Sequence, residues 1–344
     1  MTPAVLALLG CTDTTGDTGV PDSGPWPACQ TPGPLDDSLR LHHVQALATH
    51  NSTHIEPDTV LDDSHRYTHA PLTTQLDAYG VRGFELDLHL RDGVGLQVFH
   101  LPVIDEETTC LAFSDCLAEA RAWSREHPCH LPLLFWLEPK DDVDALVPDL
   151  LPLSGSWDLV DQTILDAWPR DRLWTPDDQR GDAESVSQAV QDQGFPTLGE
   201  LRGHAIFALL DGGDHRDEYL DEHPGAQGRV VFPRADSPDD AWAAMFKLND
   251  AVSSADQIGE LAPQGFVVTS NVDGASSSDA DNATKLAASV AAGTHYLASD
   301  FPGPVEDRSY QAAIPGGEPA GCNPVTAPSE CTAAAVEDLD TALR

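Results

Sequence analysis

A parallel α/β fold closed as a TIM-type (β/α)8 barrel is what this sequence predicts, on three observations. Short apolar runs alternate with helix-like stretches from about residue 35 to 302, the pattern of a parallel sheet with crossover helices. About eight such runs over this length suit a closed barrel better than a doubly wound sheet. No GxGxxG follows the first run, which argues against a dinucleotide fold.

Each element has its own signal. Residues 44–49 are the first strand. A helix is expected over 73–79, ended by Gly80. Residues 83–90 alternate as a strand, and 96–100 form a short third one. Leu111, Leu117, Ala120 and Trp123 have helical spacing within 110–126. The near-continuous apolar run 131–137 is a buried parallel strand. Residues 141–168 are helical in part, and 169–193 read as a polar, Asp-rich excursion. Strands follow at 204–210, 230–232, 244–248 and 265–269, then a helix over 279–292. Residues 296–298 are the last strand, running into Ser299-Asp300. The domain so delimited is 35–304, and 305–344 is a loop-rich tail.

Lys+Arg number 18 against 57 Asp+Glu, a net charge of −39. Such a chain has no general basic surface for nucleic acid. It is also repelled by anionic membranes unless cations screen it. The only lysines are Lys140, Lys247 and Lys285.

At the N-terminus an apolar run ends Leu8-Leu9-Gly10-Cys11. This resembles a bacterial lipobox, although the usual basic stretch before it is missing. Residues 1–11 are thus expected to be a lipoprotein signal peptide ending at a lipidated Cys11. Residues 12–34, rich in Thr, Gly, Asp and Pro, read as a disordered tether. The expected location is extracytoplasmic, as an envelope lipoprotein or a secreted protein, and the chain is read as a monomer.

Six further cysteines suggest disulfides. Cys110–Cys116 and Cys322–Cys331 would close short loops, and Cys29–Cys129 would tie the entry segment to the domain. This is one of several pairings that six cysteines allow. His127, Cys129 and His130 cluster as possible zinc ligands, but no CxxC pair supports that reading.

Successive apolar runs end in chemically capable residues: His50 and Asn51, Glu85 and Asp87, His100, Glu138. In a barrel of this kind, catalytic groups sit at the C-terminal strand ends. Glu85 and Asp87, two apart on one strand, face the same way. Carboxylates that close repel unless a hard cation sits between them, and calcium suits the oxygen donors of Asn51, Glu85, Asp87 and Glu138. His50 and His100 can give or take a proton near neutral pH, as in-line displacement at a phosphodiester requires.

At these residues the chain resembles the calcium-dependent phosphoinositide-specific phospholipase C family, in its bacterial secreted branch. The matching pieces are Thr49-His50-Asn51-Ser52, Leu76 through Asp87, Val98-Phe99-His100 and Leu137-Glu138-Pro139-Lys140. Cys110, Cys116-Leu117, Trp123-Ser124, His127-Pro128, Leu201-Arg202-Gly203 and Phe246-Lys247-Leu248-Asn249 also fit. The resemblance implies a phosphodiesterase barrel in which the inositol 2-hydroxyl attacks phosphorus, giving diacylglycerol and an inositol cyclic phosphate. It implies His50 and His100 as the catalytic pair, and Asn51, Glu85, Asp87 and Glu138 as Ca2+ ligands. One of those carboxylates is a possible base for the hydroxyl, and Lys140 and Lys247 are expected to contact the substrate phosphate. The partners so implied are a phospholipid headgroup and, transiently, a membrane surface.

One departure stands out. Where the branch carries an arginine-rich strand end, this chain has Val268-Thr269-Ser270-Asn271. Bidentate phosphate clamps are missing there, so plain phosphatidylinositol is a better expectation than its ring-phosphorylated forms. The Asp/Ser-rich loop 273–281 is read as solvated. The alternatives are a glycerophosphodiester phosphodiesterase-like hydrolase and a non-catalytic surface lipoprotein. Asn51 favours the phospholipase over the first, since the hydrolases open with His-Arg. The His50/His100 pair argues against the second. A sphingomyelinase-type barrel would leave Asn51 and Glu138 unexplained.

Overall fold

The computed structural model describes residues 24–141, 147–306, 308–316 and 319–337. Its strands are β1 (Val44–Thr49), β2 (Gly83–Arg91), β3 (Gly95–Val98), β4 (Leu133–Pro139), β5 (Leu150–Leu151) and β6 (Ala205–Leu209). They continue with β7 (Phe232–Pro233), β8 (Met245–Lys247), β9 (Val267–Asn271), β10 (Tyr296–Ser299) and β11 (Ala320–Cys322). The helices are α1 (Leu72–Ala78), α2 (Phe113–Glu126), α3 (Trp157–Ala167), α4 (Pro176–Arg180) and α5 (Val186–Gln193). After them come α6 (Leu198–Leu201), α7 (Asp214–Leu220), α8 (Ala255–Leu261), α9 (Asp279–Ala292) and α10 (Ala333–Val336).

Eight strands run parallel in the order β7-β6-β4-β2-β1-β10-β9-β8. A parallel bridge between Arg234 and Met245 joins β7 to β8 and nearly closes the barrel. Two contacts fix which faces point inward. Trp136 Nε1 on β4 donates to Thr269 Oγ1 on β9 at 2.9 Å, and Lys247 on β8 reaches Glu85 on β2. These strands are not neighbours, so both contacts cross the barrel interior. Ala48 lies opposite Gly83 in the ladder. A Cβ on Gly83 would stand 2.7 Å from that of Ala48 and 2.8 Å from the Tyr296 ring, so glycine lets β1, β2 and β10 converge. The outward face carries a ladder of Phe84, Phe135 and Phe207, with ring centroids 5.3 and 4.9 Å apart.

Local chemistry accounts for the best-defined helix. Ser278 caps α9 by accepting from Asp281 N, and Asp279 and Asp281 lie in its first turn, where carboxylates favour the helix dipole. Gly293 ends it at φ 90°, the left-handed stop that glycine adopts without strain.

Three expectations need correction. The third apolar run is not a barrel strand. β3 pairs antiparallel with β2, Val98 opposite Leu88, because β2 outruns the barrel and the chain turns back at residues 92–94. The polar excursion is not free loop: α5 buries Val186, Ala189 and Val190, and three small apolar residues gave too weak a period to show this. Among the described residues no helix separates β7 from β8, so one β/α unit is reduced to turns.

The three disulfides are Cys29–Cys129, Cys110–Cys116 and Cys322–Cys331. Cys129 is therefore not available for zinc, and His130 Nε2 meets Ser124 Oγ at 2.6 Å. The lipobox with Cys11, and the tether as far as residue 23, lie outside the described residues. From Gly24 the chain lies against the barrel, with Trp26 packed on Trp168 and under Arg125. In the tail, β11 joins β1 antiparallel. Buried Glu337 forms an ion pair with Arg82, Nε to Oε2 3.0 Å.

Candidate active site

The site lies at the C-terminal mouth of the barrel. His50 and Asn51 leave β1 in a turn where Asn51 has φ 42°. Asparagine tolerates that left-handed conformation better than most residues. Ser52 locks the turn to β2: its N–H donates to Glu85 O and its Oγ accepts from Glu85 N, both at 2.8 Å. Asn51 and Glu85 are thereby held side by side. Asp87 lies two residues along the same face of β2, opposite Glu138 on β4. Oxygens of Glu85, Asp87 and Glu138 fall within 4.8 Å of one another.

The hydrogen bonding of this cluster is incomplete. Asp87 Oδ1 and Asn51 Oδ1 are buried with no hydrogen-bond partner, each an omission worth about 1–3 kcal/mol. The Asn51 amide nitrogen donates to Tyr67 OH at 3.0 Å, which leaves the oxygen as its free end. Burial pushes the Asp87 carboxyl well up, Lys140 opposes this, and Glu138 and Glu85 reinforce it. Orphaned oxygens beside crowded carboxylates are a donor set for a hard cation. The four residues expected to hold Ca2+ are brought together.

Both lysines expected to meet substrate instead pair with these carboxylates. Lys247 Nζ is 2.6 Å from Glu85 Oε2, and Lys140 Nζ is 2.9 Å from Glu138 Oε2. Burial would raise the Glu85 carboxyl, but Lys247 and then His50 outweigh it and hold it at about 2.

His50 and His100 each rest on a carboxylate that the strand-end pattern did not single out. His50 Nδ1 lies 2.9 Å from Asp300 Oδ1, and its Nε2 is 3.6 Å from Glu85 Oε1. Burial disfavours the imidazolium, yet Glu85 and Asp300 overcome this and raise His50 to about 9. Asp300 is itself fixed: Ala275 N donates to Oδ2, and its own N–H donates to Asp273 Oδ1. Asp273, expected in a solvated loop, is buried and pushed up to about 7 by that burial and by Asp300. His100 Nδ1 lies 2.6 Å from Asp105 Oδ2. The hairpin returns His100 to the mouth, where Phe99 N donates to Asp87 O. Burial lowers the His100 pKa, with Asp105 partly compensating.

Asp300 ends the last apolar run, so the rule that found Glu85 and Glu138 could also have found it. Asp105 sits in a tight turn with no such signal.

Residues 90–324 match the family model described as phosphoinositide phospholipase C, Ca2+-dependent. The match covers more than half of the chain and includes His100, Glu138, Lys140 and Lys247; it begins after Asp87. No curated protein matches. Among solved structures, the chain is similar to a Ca2+-dependent phosphatidylinositol-specific phospholipase C from Streptomyces antibioticus. That likeness is at 19% identity and TM-score 0.56, covering 77% of this chain and 96% of that one. It is also similar to a calcium-dependent phosphoinositol-specific phospholipase C from a Pseudomonas species, at 15% identity and TM-score 0.59, covering 85% and 98%. At these identities the likeness shows the shared barrel. On the family match over two thirds of its length, the chain belongs to the Ca2+-dependent phosphoinositide phospholipase C family and is a phosphodiesterase.

Proposed function

We propose that the enzyme cleaves phosphatidylinositol by attack of the inositol 2-hydroxyl on phosphorus, releasing diacylglycerol and an inositol cyclic phosphate. The observation that carries this is the paired anchoring of His50 on Asp300 and His100 on Asp105 beside the Asn51/Glu85/Asp87/Glu138 oxygens. Calcium held by those oxygens would supply positive charge that polarises the phosphoryl group and lowers the pKa of the attacking hydroxyl, and one of the same carboxylates takes the proton that the hydroxyl loses as it attacks. His50, kept charged by Asp300 and Glu85, donates from Nε2 to the phosphoryl oxygens as negative charge builds there. His100, oriented through Nδ1 by Asp105, protonates the leaving glycerol oxygen from Nε2. Lys140 and Lys247 lie within reach of the same carboxylates and turn to the substrate phosphate when those oxygens are engaged.

A lipid interface is supported by the rim beside His100. Leu61, Val103 and Ile104 are 69, 78 and 46% exposed. Val103 holds φ 73°, a strained conformation for a β-branched residue. Strain that presents an apolar side chain to the outside suits contact with acyl chains.

At the end of β9, Thr269 is occupied by Trp136 and the described strand carries no arginine. This favours phosphatidylinositol over forms phosphorylated on the ring as the substrate. The test is diacylglycerol release from vesicles of either lipid, with calcium and with chelator. Phosphatidylinositol should turn over at least about tenfold faster, the scale of one lost charge-assisted clamp. Equal rates, or cleavage of water-soluble glycerophosphodiesters alone, would overturn the assignment.

A further inference from the structure

Three imidazoles converge on one oxygen of Asp105. His100 Nδ1, His54 Nε2 and His65 Nδ1 lie 2.6, 3.0 and 3.1 Å from Oδ2. They come from separate stretches: the turn after Asn51, the 3-10 turn Asp63–His65, and the hairpin return. The His54 and Asp105 side chains are fully buried, while those of His65 and His100 keep 15 and 13% exposure toward the mouth.

If the carboxylate served only to orient His100, one N–H donor would suffice. His54 and His100 already hydrogen-bond Oδ2 and use its two lone pairs, so His65 Nδ1, 3.1 Å away, is a third nitrogen left without a hydrogen bond to it. Meanwhile Asp105 Oδ1 and His54 Nδ1 are buried with no hydrogen-bond partner. A lopsided carboxylate ringed by imidazole nitrogens is poor hydrogen bonding but a familiar ligand set. The ligand atoms of His54, His100 and Asp105 lie within 4.8 Å of one another; with His65 turning in from the edge as a fourth, this nitrogen-rich set suits a four-coordinate transition ion, and nitrogen donors disfavour calcium. The donor set is distinct from the all-oxygen cluster on β2 and β4. The His54 ring is held in place by packing on Tyr67, with centroids 4.3 Å apart, and Tyr67 in turn accepts from Asn51 Nδ2.

We propose that His54, His65, His100 and Asp105 bind a divalent transition ion, zinc fitting best, and that its binding inhibits the enzyme by withdrawing His100 from proton transfer. The inhibitory half rests on the role given to His100 above; the binding half does not.

The test uses the untagged protein, stripped of metal and then saturated with calcium so that the oxygen cluster is filled. Cobalt(II) is titrated and followed by visible absorption, and zinc inhibition of lipid cleavage is measured in parallel. One equivalent should bind with the intense bands of four-coordinate cobalt, and zinc should displace it. His65→Ala, at the exposed edge and checked for folding by its melt, should weaken binding at least about tenfold. The zinc needed for half inhibition should rise by the same factor. His54→Gln should act likewise. A weak six-coordinate spectrum, bands abolished by calcium, or unchanged bands in both variants would overturn the site. Four-coordinate bands with undiminished turnover would leave the site standing, and would overturn the inhibition and the role of His100 together.

Discussion

Asp300 Oδ1 lies 2.9 Å from His50 Nδ1 across 250 residues of sequence, so the residue that follows the last barrel strand orients the imidazole that follows the first. A carboxylate there fixes the tautomer and keeps the ring charged. Asp300→Asn should lower kcat by about 10²–10⁴ with little change in KM, and should shift the basic limb of the pH–rate profile downward. A profile and rate close to wild type would show that Asp300 is only structural.

The orphaned oxygens of Asn51 and Asp87 predict a specific calcium response. Calcium should raise the melting temperature of the wild type, since it binds only the folded state. Asn51→Ala and Asp87→Asn should each weaken calcium binding at least about tenfold and shrink that rise. Calorimetric titration would measure both. Unaltered affinity in the two variants would place the ion elsewhere.

Buried histidines set an acid limit to stability. Burial holds His69, His89 and His295 at about 4 and His130 at about 3, against about 6.5 unfolded. Their folded values are depressed, so the stability they permit is present above about pH 6.5 and is lost as pH falls toward 4. His50 has the opposite sign. Raised to about 9, it contributes fully below about pH 6.5 and loses that contribution as pH climbs through 9. In chelator, melting temperature should peak near pH 6.5, and a His50→Gln variant should lose the alkaline decline. A profile flat from pH 4 to 9 would refute this.

The disulfides should differ in weight. Cys29–Cys129 spans 100 residues and Cys110–Cys116 only 6. On chain entropy, removing the first should cost about 4–5 kcal/mol and the second about 2 kcal/mol. Glu337→Ala, which strands buried Arg82, should cost about 3–5 kcal/mol. Denaturant unfolding of the three variants checks both the order of the disulfides and the weight of the Glu337–Arg82 pair that ties the tail to the barrel.

Much of this site was legible because barrel chemistry gathers at strand ends, and apolar runs announce where strands end. Asn51, Glu85, Asp87 and Glu138 follow from that rule. The cysteine pairing was one choice among fifteen: short spacing favoured Cys110–Cys116 and Cys322–Cys331, and Cys29–Cys129 was the remainder. What was not legible depended on direction or on distant turns. Alternation cannot say whether β3 runs up or down, so its reversal was hidden. His54 and His65 end no apolar run, and only the folding of the turns that carry them brings both to Asp105. Asp273 lies in a run of Asp and Ser that composition reads as solvated, yet Ser299, Tyr310 and the Asp300 N–H all donate to it. The two lysines were expected to meet substrate, and their carboxylate partners became visible only once β2, β4 and β8 closed around one interior.

The most direct measurement is phosphorus NMR of phosphatidylinositol vesicles during turnover, with calcium and with chelator. Cyclising attack predicts a five-membered cyclic phosphodiester signal that appears first, requires calcium and is abolished in His50→Ala. Direct appearance of an acyclic phosphomonoester, or a cyclic signal undiminished in chelator or in His50→Ala, would contradict the account.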